Sequence, residues 1–188
     1  MRIVAGKFRG KAITSPKGAK IRPTSDRVRE SMFNILSSRL GPAFEGVRVL
    51  DLFAGTGALG LEALSRGASR AIFVDTGIEA RGLIRDHIQS FGVAGQAKLL
   101  KRNATSLGSV EGFKPFSLIF LDPPYNQGLG DKALISLRDG GWLVGGATLV
   151  LEERASVPID LPDNFAVDDT RKYGDTNVHF LSYEALQG

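Results

Sequence analysis

The chain has no cysteine, two histidines (His87 and His179), two methionines and one tryptophan. Without cysteine it can form neither disulfides nor thiolate metal sites, a usage that fits a reducing cytoplasm. Two histidines leave little for a histidine-based metal centre or a Ser–His nucleophile, so no metal is expected. No apolar run approaches the about 18 residues of a membrane span. The basic N-terminus is not followed by an apolar core of about 7–15 residues, so no signal peptide is expected. Negative charge is scarce at the start. Residues 1–30 hold only Asp26 and Glu30 against nine Lys and Arg, a net of +7. The remaining 158 residues carry 15 basic and 18 acidic groups, a net of −3. Phe8 and Ile21 interleave with these cations, and turn glycines punctuate them. That pattern reads as a polyanion-binding arm in which Arg2, Lys7, Arg9 and Lys11 meet phosphates.

The 188 residues suffice for one well-filled domain with an appendage. At its centre stands Val47–Leu64, VRVLDLFAGTGALGLEAL. An apolar, β-branched run passes through three glycines into a helical pattern, predicting a buried parallel strand, a tight turn and a helix. Gly55, Gly57 and Gly60 have the spacing G-x-G-x-x-G. They supply φ freedom, bare backbone for a ligand, and close helix–strand packing. The motif indicates a nucleotide-like cofactor without saying which.

Before it, Arg2–Phe8 and Lys11–Thr14 read as two short strands of a hairpin around Arg9-Gly10. Thr24 or Ser25 starts a helix whose Val28, Met32, Leu36 and Leu40 recur every four residues. Arg27, Arg29 and Arg39 fall off that stripe. We expect an arm over 1–41 and a main domain over 42–188. From Val47 on, strands and helices alternate, predicting an α/β fold with a mostly parallel sheet. Further strands are expected at Ala71–Val74, Ala97–Leu100, Ser117–Leu121 and Ala147–Leu151. Phe165–Arg171 and Val178–Tyr183 read as an antiparallel pair around Gly174-Asp175.

Four strands lead to a polar residue: Asp51, Asp75, Asn103 and Asp122. In open α/β sheets ligands bind outside the carboxyl ends of the strands, so these four are expected along one rim. The glycine turn offers no Lys or Arg for a pyrophosphate, which disfavours a nicotinamide dinucleotide. S-adenosylmethionine carries a sulfonium and an ammonium against one carboxylate, and an acid-lined rim suits that net cation. Asp75 is placed to accept ribose hydroxyls.

Asp122-Pro123-Pro124-Tyr125 follows an apolar strand. Its prolines stiffen the turn and remove two backbone donors, leaving carbonyls outward. A carboxylate and a proline carbonyl can accept both hydrogens of a planar exocyclic amine and localise its lone pair toward a methyl donor. Tyr125 can stack on the base and hold it in line.

On RIVAGKFRGK, RPTSDRVRESMFN (22–34), DLFAGTGALGLEALSRG (51–67), DPPY (122–125) and KYGDT (172–176), the chain resembles the bacterial ribosomal RNA small-subunit methyltransferase D family. The resemblance runs through essentially the whole chain. It implies a Rossmann-like class I methyltransferase with a seven-stranded sheet, an antiparallel C-terminal strand and an N-terminal β-hairpin and helix extension. It implies S-adenosylmethionine as donor and S-adenosylhomocysteine as product. The implied substrate is a guanine N2 in 16S rRNA, free or in the small subunit, for a cytoplasmic, monomeric enzyme. By position Asp51, Phe53, Gly55, Gly57, Asp75, Asn103, Ala104 and Asp122 would line the cofactor. Asp122, Pro123, Pro124 and Tyr125 would bracket the amine. Arg22, Thr24 and Arg27 would close over the site and touch RNA, with Tyr125 on the base. The family tends to have Glu followed shortly by Asp after its second strand, where this chain has Asp75-Thr76-Gly77. The same chemistry would serve adenine N6 in nucleic acid or a protein glutamine amide.

Overall fold

The computed structural model describes residues 1–17 and 24–185 of the chain. Arg22 and Ile21 lie outside the described residues. The elements in order are α1 (Asp26–Leu40), β1 (Arg48–Leu52), α2 (Ala58–Ser65), β2 (Arg70–Val74), α3 (Ile78–Ser90), β3 (Ala97–Leu100), β4 (Phe116–Leu121), α4 (Leu129–Asp139), β5 (Leu143–Arg154), β6 (Phe165–Tyr173) and β7 (Thr176–Tyr183). They form a seven-stranded sheet in the order β3-β2-β1-β4-β5-β7-β6. The pairs β1/β2, β2/β3 and β4/β5 are parallel. β7 runs antiparallel to both β5 and β6, completing the mostly parallel sheet expected from the alternating pattern. By compactness the chain divides into two units, Met1–Lys101 and Arg102–Gly188.

In the first unit, Ser25 caps α1 by accepting from Val28 N–H at 3.2 Å, and the helix stops at Gly41. Met32, Phe33 and Leu36 are fully buried. Arg29, expected off the apolar stripe, is buried as well. The reason is local chemistry: its Nη2 donates to Arg2 O at 2.7 Å and pairs with Asp26, so the packed face of α1 offers the guanidinium acceptors. Helical spacing alone assigns faces by apolarity and misses such a partner.

The predicted hairpin is reduced. Its legs meet at one isolated bridge, Arg2↔Ala12, with Ile3 N–H donating to Lys11 O at 2.9 Å and Ile13 N–H to Met1 O at 2.8 Å. Other backbone groups of the first leg bond to α2. Val4 and Ala5 N–H donate to the Glu62 carboxylate at 2.8 and 3.2 Å. Lys7 N–H reaches Ser65 O at 2.9 Å, and Phe8 N–H reaches Ser65 Oγ at 3.0 Å. These bonds pull the first segment out of strand geometry. Gly6, at φ 86, passes so near that an added Cβ would lie 2.0 Å from Ser65 O. Ile3 and Ile13 fill the core beneath.

In the second unit β4 is buried at every position except Ser117, as expected of a strand covered on both faces. β5 is longer than Ala147–Leu151, extending from Leu143 to Arg154. Seven consecutive pairs with β7, from Thr148↔Ser182 to Arg154↔Thr176, hold its polar end in the sheet. That pairing lies far away in sequence, so local composition does not reveal it. Trp142 is fully buried and donates its Nε1 to Gly108 O at 2.8 Å.

Candidate active site

In the first unit the chain leaves β1 through Phe53 at φ 55, a left-handed conformation rare for a bulky residue. Ala54 N–H donates to Val74 O at 3.1 Å, and Gly57 N–H to Ala54 O at 2.8 Å, which closes the glycine turn. Asp51 lies within β1 rather than after it and is 2% exposed. Its Oδ2 accepts from Gly60 N–H at 3.0 Å, placing a carboxylate at the N-terminal turn of α2. A Cβ on Gly60 would meet the Phe73 ring at 2.4 Å, so the third glycine of the motif is required by packing.

Asp75 directly follows β2. Its Oδ2 accepts from Gly55 N–H at 2.9 Å and its Oδ1 from Gly77 N–H at 2.7 Å. A carboxylate offers about four acceptor positions, so two backbone donors leave lone pairs on both oxygens. Asp51, Phe53, Gly55, Gly57 and Asp75 thus stand together around one turn. The fit to a cationic ligand rests on this donor set: carboxylates and backbone, with no basic side chain in 51–60.

In the second unit Asn103 is exposed, and its Oδ1 accepts from Thr105 N–H at 2.9 Å and shares a hydrogen bond with Thr105 Oγ1 at 2.7 Å. Ala104 beside it is buried. Asp122 directly follows β4. Leu121 pairs in register with Leu151, so Asp122, just past the end of β4, stands beside Glu152, which lies within β5. Glu152 and Glu153 are almost fully buried. Desolvation pushes the Asp122 carboxyl up to about 6; a hydrogen bond with Glu152 opposes that shift, and the charge of Glu153 adds to it. Pro123 is buried and Pro124 exposed.

Tyr125 is oriented by a 3.0 Å hydrogen bond between its hydroxyl and Thr176 Oγ1 on β7. The Arg154 guanidinium lies 5.6 Å over its ring centroid. Burial raises the phenol pKa, the Thr176 bond opposes this, and Asp122, Glu152 and Glu153 add to the rise. The phenol therefore stays neutral. His179, on β7 opposite Leu151, shares a hydrogen bond with Thr170 at 2.9 Å, and burial lowers its pKa. Glu152, Glu153, Thr176 and Arg154 were missed from the sequence. The signal for the acids was two adjacent carboxylates closing an apolar run, ATLVLEE. Thr176 closes the KYGDT motif, but its pairing with Tyr125 is made only in the folded chain and is not readable from the motif. Among the described residues, no three His, Asp or Glu side chains are arranged to hold a metal ion, and no helix is long and apolar enough to cross a membrane.

The basic residues of the arm divide into two sets. Arg2 Nη1 donates to Gly10 O at 2.6 Å, bracing the loop. Lys11 Nζ donates to Ser90 O and lies 4.6 Å from the Phe91 ring centroid, while Lys7 lies 5.0 Å over Phe8. Arg9 and Arg27 are exposed, and Thr24 is half-buried before α1.

The model of the family described as Conserved hypothetical protein 95 matches residues 1–182. The ribosomal RNA small subunit methyltransferase D of Escherichia coli is 34% identical over 188 residues, 98% of this chain and 91% of that protein. Its counterpart from Haemophilus influenzae is 31% identical over 89% of this chain and 86% of its own length. Among solved structures, the Escherichia coli protein yhhF superposes with a TM-score of 0.82 at 31% identity, covering 99% of each chain. The chain belongs to the ribosomal RNA small subunit methyltransferase D family and is a methyltransferase of the class I, Rossmann-like fold.

Proposed function

We propose that the protein methylates the exocyclic N2 of one guanine in 16S rRNA, using S-adenosylmethionine and releasing S-adenosylhomocysteine. The observation that carries this reading is Asp122, a desolvated carboxylate at a strand end, next to paired prolines and a tyrosine held in place by Thr176. Asp51, Phe53, Gly55, Gly57 and Asp75 are assigned to the methionine and ribose parts of the cofactor, and Asn103 and Ala104 to its adenine. Asp122 is counted with both cofactor and substrate. When bound, S-adenosylmethionine supplies an electrophilic methyl on a sulfonium.

The protein's own contribution is orientation. Asp122 Oδ and the Pro123 carbonyl accept the two N–H bonds of the guanine amine, which directs the nitrogen lone pair away from the ring system. As the N–CH3 bond forms, the nitrogen sheds one proton. Asp122 is suited to take it, because a carboxyl titrating near 6 is a stronger base than an ordinary one. Tyr125 stacks on the base, and holding the reactants in line can supply about 7–11 kcal/mol of the barrier. In duplex RNA the N2 amine lies in the shallow minor groove, so the target must be unpaired or flipped.

The direct test is radiolabelled transfer to naked rRNA, assembled small subunits, DNA and protein, followed by nucleoside and amino-acid analysis. N2-methylguanosine from rRNA or subunits supports the reading. N6-methyladenosine or methylglutamine replaces it. S-adenosylhomocysteine at about 100 times its Kd should stabilise the fold by about 2.7 kcal/mol, a rise in Tm of about 5–10 °C. NADH in the same thermal scan should give none.

Arg2, Lys7, Arg9 and Arg27 are exposed on or beside the arm. Lys11, Arg22, Thr24 and Tyr125 complete the RNA-contacting set. If about five cations meet phosphates on single-stranded RNA, log affinity falls with log salt at a slope of roughly −3.5. Filter binding across a salt series checks this, and a flat response removes the arm from RNA recognition.

A further inference from the structure

His87 sits in the last turn of α3 and is 4% exposed, with both ring nitrogens engaged. Nε2 faces the Thr14 N–H of the arm at 3.0 Å. Nδ1 lies 2.8 Å from Thr56 O, between the first two glycines of the turn. The chemistry fixes the tautomer. A backbone N–H can only donate, so Nε2 presents its lone pair and Nδ1 carries the proton given to the Thr56 carbonyl. One neutral ring therefore spans the distance from the basic arm to the glycine turn.

The surroundings reinforce the span. Phe91, one turn on, packs in a tilted ring pair at 5.3 Å against Phe8 of the arm and lies 6.2 Å from the His87 ring. Lys11 Nζ closes on Ser90 O from the same side. On its other flank the turn is held by Asp75, which precedes α3 and accepts from Gly55 N–H. The arm's anchors on α2 are Glu62, which holds Val4 and Ala5, and Ser65, which holds Lys7 and Phe8; neither bonds to Thr14 or Thr56.

We infer that His87 is a positioning residue that joins the N-terminal arm to the glycine turn, so that RNA held by the arm and cofactor held by the turn favour each other's binding. This rests on the roles proposed above for arm and turn. Movement of Thr14 on RNA binding is transmitted through a rigid ring to Thr56 O, and by linkage the effect is equal in both directions.

The test measures S-adenosylhomocysteine affinity by calorimetry, with and without a saturating transcript of 16S rRNA, in the wild type, His87→Asn and His87→Gln. Asparagine places its amide near the Nδ1 position and keeps a donor for Thr56. Glutamine reaches the Nε2 position and keeps an acceptor for Thr14. Each variant stays polar and retains one end of the span. In the wild type, RNA should tighten cofactor binding by about 5-fold or more, the lower range of measured couplings. In both variants that ratio should fall to near 1 while each ligand still binds alone. Variants that keep the wild-type ratio overturn the inference. So does a wild type in which both ligands bind without affecting one another. A wild type that binds no S-adenosylhomocysteine at all signals instead that the proposed function is wrong.

Discussion

Replacing Asp122 with asparagine is expected to lower kcat for methyl transfer by about 10²–10³-fold, the range seen when one preorganised polar group is removed from a reacting centre. The amide would present N–H donors to an amine that needs acceptors, and it cannot take up the released proton. The same carboxylate sets the pH response. Desolvation raises its pKa to about 6, so below that pH it becomes a carboxylic acid whose O–H donates. The rate of the wild type should therefore rise with pH through about 6 and level off above it. In Glu152→Gln the amide keeps a hydrogen-bond donor beside Asp122 and removes an ionisable neighbour. That rising limb should move to lower pH. A single-turnover pH–rate profile reads both effects, and a limb that stays in place in Glu152→Gln excludes Glu152 from the control of Asp122.

The stability sign runs opposite to activity. The folded-state pKa of Asp122 lies above its unfolded value of 3.8. Ionising it in the folded state is unfavourable, so its contribution to stability declines as pH rises from 3.8 through about 6. Asp122→Asn removes that penalty and should be more stable than the wild type at neutral pH while transferring methyl far more slowly. A variant that gains stability as it loses rate is the signature of a residue kept for chemistry rather than folding.

Glu62→Leu should be strongly destabilising although it lies outside the site. The carboxylate is fully buried, and accepts from Val4 N–H, Ala5 N–H and Arg66 Nε at 2.8, 3.2 and 3.4 Å. Leucine would leave two backbone donors and a guanidinium without acceptors, each costing about 1–3 kcal/mol. A total of about 3 kcal/mol lowers Tm by about 6–12 °C in a chain of this size. Because the lost bonds belong to the arm, residues 1–17 should become sensitive to limited proteolysis. The salt slope for RNA should also flatten. Calorimetry showing Tm within about 1 °C of the wild type would exclude Glu62 as the anchor.

The reach of the sequence is clearest when single residues are compared. The three glycines, the apolar strand before them and the DPPY turn were legible because their constraints are local. Gly60 must be bare where Phe73 crosses, and a proline pair removes two donors wherever it stands. Helical and strand periodicity placed α1, α2 and the seven strands near their observed positions, and the antiparallel end of the sheet followed from the hairpin at Gly174-Asp175. The basic segment was legible as charge. Its hairpin is present but shorter than the pattern suggests, because no local signal shows that Glu62 and Ser65, more than fifty residues on, take several of its N–H groups.

By itself, then, the sequence determined the α/β class, the glycine turn, the polar strand ends and the family, all of which depend on neighbours along the chain. Only the tertiary structure decided that Glu152 stands beside Asp122, that Thr176 holds Tyr125, that Arg29 is buried, and that His87 links the arm to the turn. Each is a polar contact made across strands or helices. Such contacts are dictated by register and packing, since a buried polar group must find its partner wherever the fold brings one within reach.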